Sequence, residues 1–208
     1  MALIENVLDM RGQVGELVVC KRGKTSYVRR NVEKIKSPAS RMQETMRRRW
    51  KVAIRFYQQL PEGVRRVLNG AARDCGEWSG YNFFLKENLK VLTEDGEITD
   101  LGLLQFSAGT RARVGSLEGR RTEEGRVELW WDNSPMTDEE EGEDRLVVIA
   151  VAENRMFSPE EVKGVDAARE DGFARFSLDN MEGRKAHLYC CFVSPDGRGY
   201  SRTQHVAV

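Results

Sequence analysis

Hydrophobic residues in the first half of the chain recur at steps of three and four, which is the period of one face of an α-helix. The longest such stretch, between residues 40 and 60, contains Met42, Met46, Trp50, Ala53, Tyr57 and Leu60. Two shorter stretches follow, one from Pro61 to about Asp74 and one from Ser79 to about Leu89. The pattern therefore predicts three consecutive helices, with Pro61 and Ser79 at the starts of the second and third.

A different pattern precedes the helices. The apolar run Leu17–Cys20 and the β-forming run Thr25–Val28 flank the turn-like segment Lys21–Lys24. Two such runs joined by a glycine-containing turn are typical of a β-hairpin. Gly12 and Gly15 fit a bend or bulge just before it. The sequence therefore predicts a hairpin ahead of the three helices.

After Val91 the chain changes to short apolar runs separated by turns rich in Gly, Asp and Asn. The runs are Leu103–Ala108, Arg126–Trp131, Leu146–Ala152, Phe173–Leu178, Ala186–Val193 and Tyr200–Val206. About six or seven strands in a segment of this length favour an immunoglobulin- or fibronectin-like β-sandwich. We therefore predict an α+β protein with a hairpin and helical domain at 1–92 and a β-sandwich domain at 93–208.

The charges divide along the same line. The 208 residues contain 33 Lys and Arg and 33 Asp and Glu, so the formal net charge is zero. Residues 1–92 hold 19 basic and 9 acidic residues, a net charge of +10, and residues 93–208 hold the remaining 14 and 24, a net charge of −10. Such a division suggests separate partners for the two halves, or attraction between copies of the chain.

Basic residues beside the predicted turn and on the first helix are the strongest functional signal. The candidate contacts with nucleic acid or another anionic partner are Arg22, Lys24, Arg29, Arg30, Arg47 and Arg48. Cations so placed neutralise phosphates, and Tyr27 and Trp50 add stacking surfaces. The alternative is a solvated helix face together with a charged hairpin that blocks edge-to-edge strand pairing.

Two adjacent tryptophans give a candidate protein interface. Trp130 and Trp131 lie in a predicted strand, where successive side chains point to opposite faces. One therefore belongs in the core and the other on the surface, and alternation alone leaves open which is which. Trp130 is the candidate interface residue.

No catalytic, cofactor or metal site is expected. His187 and His205 lie in predicted strands with no nucleophile turn nearby. Cys190 and Cys191 are neighbours on opposite strand faces and no CxxC spacing occurs, so reduced thiols and no zinc site are expected. The six acids of Asp138–Asp144 lack the pattern of a calcium loop and predict an exposed, solvated loop.

The same sequence favours a location without secretion. The N-terminal residues have no basic segment before an apolar run, so no secretory signal is expected. No apolar run is long enough to cross a bilayer. We therefore expect a cytoplasmic or virion-associated protein that makes no contact with a membrane.

Several segments together resemble a known family. They are Gly12–Val19, Gly23, Tyr27–Arg29, Lys36–Gln43, Arg47, Tyr81–Phe84, Tyr189, Phe192–Ser194, Asp196–Gly197 and Tyr200–Ser201. In this order they resemble an uncharacterised family, a domain of unknown function common in Bacteroidetes and their prophages and mobile elements. Ser37 and Ser40 stand where that family usually has Asn and Thr. The resemblance implies an architecture and no reaction.

A looser similarity to small proteins of tailed-phage gene clusters favours a role in virion assembly. We therefore expect a non-enzymatic structural or assembly protein, a phage- or prophage-derived virion component that makes protein–protein contacts as a homo-oligomer or in a larger assembly, without a cofactor. The alternative is a nucleic-acid-binding module that uses the basic hairpin and the first helix.

Overall fold

The computed structural model describes residues 2–3, 11–22, 25–32, 39–134, 139–178, 181 and 184–208. By their contacts the residues form two compact units, Met1–Arg41 and Met42–Val208. The sequence placed a boundary after residue 92 instead.

The first unit is a small antiparallel sheet. Its strands are β1 (Ala2–Leu3), β2 (Gly12–Val14), β3 (Leu17–Arg22) and β4 (Thr25–Arg30), in the order β1-β4-β3-β2. The pairing of β3 with β4 confirms the predicted hairpin, with both strands longer than expected. Gly15, at a φ of +60°, lies in the tight turn between β2 and β3. Residues 23–24 of the predicted turn lie outside the described residues.

The second unit contains the three helices found in the described part of the chain. They are α1 (Arg41–Gln59), α2 (Glu62–Asp74) and α3 (Gly80–Asn88). The Ser79 hydroxyl accepts a hydrogen bond from the Asn82 backbone N–H at 3.2 Å, so Ser79 caps α3 as expected. Pro61 lies just before α2 in an extended conformation. The prediction of three helices is confirmed.

Two antiparallel sheets follow the helices. Their strands are β5 (Leu117–Arg121), β6 (Arg126–Trp131), β7 (Arg145–Ala152), β8 (Glu160–Glu161), β9 (Phe173–Ser177), β10 (Ala186–Val193) and β11 (Gln204–Ala207). One sheet has the order β5-β6-β9 and the other the order β11-β10-β7-β8. The chain is therefore α+β, with three helices and several antiparallel sheets among the described residues.

One predicted strand, Leu103–Ala108, is wrong. Side chains from elsewhere in the chain occupy the backbone groups that a neighbouring strand would have paired. The Gln105 N–H donates to Asn88 Oδ1 at 2.8 Å, and the Ser107 N–H donates to Thr203 Oγ1 at 2.8 Å. Leu104 and Phe106 are buried without a strand ladder, because single side chains supply the hydrogen bonds that the buried backbone groups of this segment need, whereas Leu103 is exposed.

Strands β7 and β10 lie at the centre of the second unit and are buried on both faces. One face shares a core with the helices, which includes Phe56, Leu68, Phe84, Ile149, Val151, Tyr189 and Cys191. The other face shares a second core with the three-stranded sheet, which includes Val127, Leu129, Trp131, Val148, Phe176, Leu188 and Cys190. Helices, four-stranded sheet and three-stranded sheet are thus three layers, and the helices share a core with strands beyond residue 92.

Candidate interaction surfaces

The register of the hairpin decides which of its cations share a face. Arg22 is opposite Thr25 and Arg29 is opposite Val18, and directly opposed residues point to the same side of a sheet. Val18 and Arg22 are four residues apart on β3 and therefore point to the same face. Arg29, which is opposite Val18, lies on that face with Arg22. Tyr27 lies between them on that face and is half-buried.

The remaining hairpin cations are not part of that face. Arg30 is opposite Leu17 and therefore points to the other side of the sheet. Its guanidinium lies 3.5 Å from the Glu16 carboxylate, and both side chains are largely exposed. Lys24 lies outside the described residues. The structure therefore brings together Arg22 and Arg29 of the predicted hairpin cluster and separates Arg30 from them.

Arg47 and Arg48 are exposed on α1, in the second unit. Lys51 and Arg55 follow at helical steps and are also exposed, so these four cations form one basic face. Glu44 is the only acidic residue of the helix.

Burial settles which tryptophan belongs to the core. Trp131 is 6% exposed and lies in the core between the sheets, whereas Trp130 is 36% exposed on the outer face of the three-stranded sheet. The Trp130 ring packs beside Phe173, which is also exposed, with 5.7 Å between ring centroids. The Arg120 guanidinium lies over the Trp130 ring at 5.1 Å, within the range of a cation–π contact.

A nearly buried carboxylate fixes that guanidinium. Glu128 Oε2 accepts a hydrogen bond from Arg120 Nε at 3.0 Å, and Oε1 accepts one from Arg175 Nε at 3.0 Å. These bonds, Arg175 first and then Arg120, lower the pKa of Glu128, so the carboxylate is charged at neutral pH. The outer face therefore presents Trp130 and Phe173 beside two oriented guanidinium groups.

The prediction of an exposed acidic loop at Asp138–Asp144 is wrong for Glu141 and Asp144, whereas Glu143 is exposed. Glu139–Glu143 forms a short 3-10 helix, and the side chains of Glu141 and Asp144 are buried. Asp138 lies outside the described residues. Repulsion between neighbouring acids predicted solvation, but cations from distant segments offset that repulsion here.

Arg169 is the central cation of this buried cluster and has no exposed surface. Its Nη1 lies 3.2 Å from Glu141 Oε2 and 4.0 Å from Asp144 Oδ2, and Arg111 Nε lies 3.6 Å from the same Asp144 oxygen. Burial raises the pKa of Asp144, and the nearby Arg111 counteracts part of that rise. The Trp131 indole N–H donates to the Arg169 carbonyl at 2.7 Å, so the cluster is joined to the core that the two sheets share.

Two histidines that the sequence left unconnected are in direct contact. The register of β10 with β11 brings His187 Nδ1 to 2.9 Å from His205 Nε2. Burial lowers the pKa of both imidazoles; the charge of Lys185 lowers that of His187 further, and protonation of His187 would lower that of His205 further. A hydrogen bond between two ring nitrogens needs a proton on one and a free lone pair on the other, so the two imidazoles are not both protonated in this geometry.

The cysteines are free thiols. Cys190 faces the core between the sheets and Cys191 faces the core with the helices, as strand alternation predicted. Burial raises the pKa of Cys190, and raises that of Cys191 to about 12, which leaves both unreactive at neutral pH. Within the described ranges, no group of three or more His, Cys, Asp or Glu side chains is placed to hold a metal ion.

Among the helices of the described residues, none has the length and apolar character needed to span a bilayer.

No family model and no curated protein matches the chain. Among solved structures, the chain is similar to the extracellular region of rat CD45, domains d3–d4, at 11% identity and a TM-score of 0.34. That similarity covers 49% of this chain and 51% of the CD45 chain, so the match spans about half of each. A TM-score this low supports no statement about fold or function.

Proposed function

We propose that this protein is a non-enzymatic assembly protein whose outer β-sheet face binds another protein. The observation that carries the proposal is the exposed pair Trp130 and Phe173 with Arg120 stacked over the indole. Tryptophan and arginine are the residues most enriched at the energetic centres of protein interfaces. Because Glu128 already orients Arg120, little side-chain entropy is lost when a partner binds.

We infer that β5–β11 form a seven-stranded sandwich of the fibronectin type III kind. Two features support this inference: the division of the strands into β5-β6-β9 and β11-β10-β7-β8, and the single core between the two sheets. The helices occupy the outer face of the four-stranded sheet, so the outer face of β5-β6-β9 is the sheet face left for a partner.

Self-association is the direct test, since the expected assembly is a homo-oligomer or a larger phage- or prophage-derived structure. Sedimentation velocity of the full chain over a wide concentration range should show concentration-dependent assembly. The double variant Trp130→Ala, Phe173→Ala should remain monomeric, whereas Trp78→Ala, which removes another exposed tryptophan, should assemble normally. Assembly that persists in the double variant would contradict the proposal, and so would a wild-type chain that stays monomeric throughout.

A second candidate function, nucleic-acid binding, is favoured by the basic face of α1. Arg47, Arg48, Lys51 and Arg55 are all exposed on it. If these residues contact phosphates, the logarithm of the affinity for duplex DNA falls linearly with the logarithm of salt concentration, and each lost contact reduces the slope by about 0.9. Arg47→Glu should reduce the slope, and Arg198→Glu, at a highly exposed turn, serves as the control. Equal slopes in both variants would remove this candidate.

A further inference from the structure

The apolar stripe of α1 extends beyond the core that it helps to form. Ala53 and Leu60 are buried, but on the same helix face Met42, Met46 and Trp50 are 78%, 38% and 42% exposed. These three residues, named here the α1 stripe, follow one another at steps of four and cover about 12 Å of helix. Single exposed apolar residues are ordinary, but a continuous row of large ones marks a surface that a partner covers.

The charges around the α1 stripe restrict the partner. The basic residues of the helix are Arg41, Arg47, Arg48, Arg49, Lys51 and Arg55. Against them stands Glu44 alone. At about 100° per residue, Arg47 and Arg49 lie on the two sides of the stripe, next to Trp50. Any helix that packs on the stripe therefore has a guanidinium at each of its edges.

This arrangement disfavours two occupants and favours a third. A second copy that paired α1 with α1 would place arginines opposite arginines, which costs binding energy. Duplex DNA would neutralise the arginines, but its phosphates would leave Met42 and Met46 in water. An amphipathic helix with acidic residues beside its apolar face complements both features.

We propose that the α1 stripe binds an acidic amphipathic helix of a protein partner. Its apolar side chains pack on Met42, Met46 and Trp50, and its carboxylates pair with Arg47 and Arg49 at the two edges. The α1 stripe is a different surface from the outer face of β5-β6-β9 that carries Trp130. Either proposed interaction can therefore fail without the other.

The test uses the full chain and three labelled synthetic peptides of about 18 residues, long enough to become helical when bound. The first carries leucines at helical spacing with glutamates beside them. The second replaces those glutamates by lysines, and the third has the composition of the first in scrambled order. In fluorescence anisotropy the first peptide should bind, and the other two should bind at least about tenfold more weakly.

Variants then locate the site. Trp50→Ala should weaken the binding of the acidic peptide by about tenfold or more, and Trp130→Ala should leave that binding unchanged. Arg47→Glu should weaken the binding of the acidic peptide and strengthen the binding of the lysine peptide, because it reverses the charge at one edge of the site. Thermal unfolding checks that each variant folds, and Met42→Ser with Met46→Ser replaces Trp50→Ala if that variant does not.

Three results would overturn the proposal. Equal binding of the scrambled peptide would show that charge alone acts. Unchanged binding in the α1 variants would place the peptide elsewhere. Binding to phosphatidylglycerol-containing vesicles that Trp50→Ala abolishes, with no binding of the acidic peptide, would identify the stripe as a membrane-surface contact.

Discussion

Two clusters of carboxylate and guanidinium groups in the β region differ in how their charges are stabilised. On the outer face, Glu128 accepts hydrogen bonds of 3.0 Å from two arginines, and its pKa is lowered. In the interior, the cations nearest Asp144 lie 3.6 and 4.0 Å away, beyond hydrogen-bonding distance, and its pKa is raised. The pKa values of the two carboxyl groups therefore shift in opposite directions. Short charge-assisted hydrogen bonds offset the desolvation of Glu128, whereas the longer contacts of Asp144 do not offset its desolvation.

The two clusters also differ in what depends on them. The Arg120 and Arg175 side chains are mostly exposed, so water can take over their roles. Arg169 is fully buried, its Nη2 donates to the Arg113 carbonyl at 3.2 Å, and its guanidinium lies 5.4 Å from the centre of the Phe192 ring. The interior cluster is therefore expected to govern stability, and the outer one to shape a surface.

The largest expected effect follows from removing the buried cation. Arg169→Met leaves two buried carboxylates with Arg111 as the main remaining cation and should lower the free energy of unfolding by about 3–5 kcal/mol. Arg175→Met, the matched change in the outer cluster, should cost about 1 kcal/mol or less. Urea unfolding of both variants measures the difference. Equal losses would show that burial does not distinguish the two clusters.

What the sequence could predict follows from the range of the interactions involved. The helices, β6 and β10 were predicted well, because the period of their side chains is a local property. Alternation separated Trp130 from Trp131, but only the packing of two sheets decides which one is buried.

The errors have a common cause in distant partners. Repulsion between neighbouring acids predicted that Glu141 and Asp144 would be solvated. The cation that compensates their buried charge, Arg169, lies far along the chain. Similarly, nothing in the local pattern connects His187 with His205, since the register of β10 and β11 creates that contact. A period or a motif does not encode such pairings.

An intermediate effect should appear in the pH dependence of stability. Glu128, with a lowered pKa, stabilises the fold above about pH 4.5, the ordinary glutamate value, and this contribution is lost as the pH falls through its folded pKa. Asp144, with a raised pKa, does the opposite: its contribution is present below about pH 3.8 and is lost as the pH rises through its folded pKa.

The measurement is the difference in unfolding free energy between each variant and the wild type from pH 3 to pH 7. As the pH rises, the wild type should become more stable relative to Glu128→Gln. Over the same range it should become less stable relative to Asp144→Asn. Groups that titrate equally in variant and wild type, such as the two histidines, cancel in these differences. Slopes of the same sign would contradict the contrast between the clusters.

The smallest effect on stability should come from Arg120→Gln. The Arg120 side chain is 69% exposed, and Arg175 continues to bind Glu128 in its absence, so the cost should be about 0–1 kcal/mol. The variant nevertheless removes the guanidinium over Trp130 and so alters the proposed partner surface without unfolding it. Sedimentation velocity should therefore show weaker assembly at nearly unchanged stability. Arg126→Gln, which changes another exposed arginine in the same sheet, should affect neither quantity. If Arg120→Gln destabilised the fold as much as Arg169→Met, the outer cluster would be part of the structural core, and its role as an oriented surface would lose its physical basis.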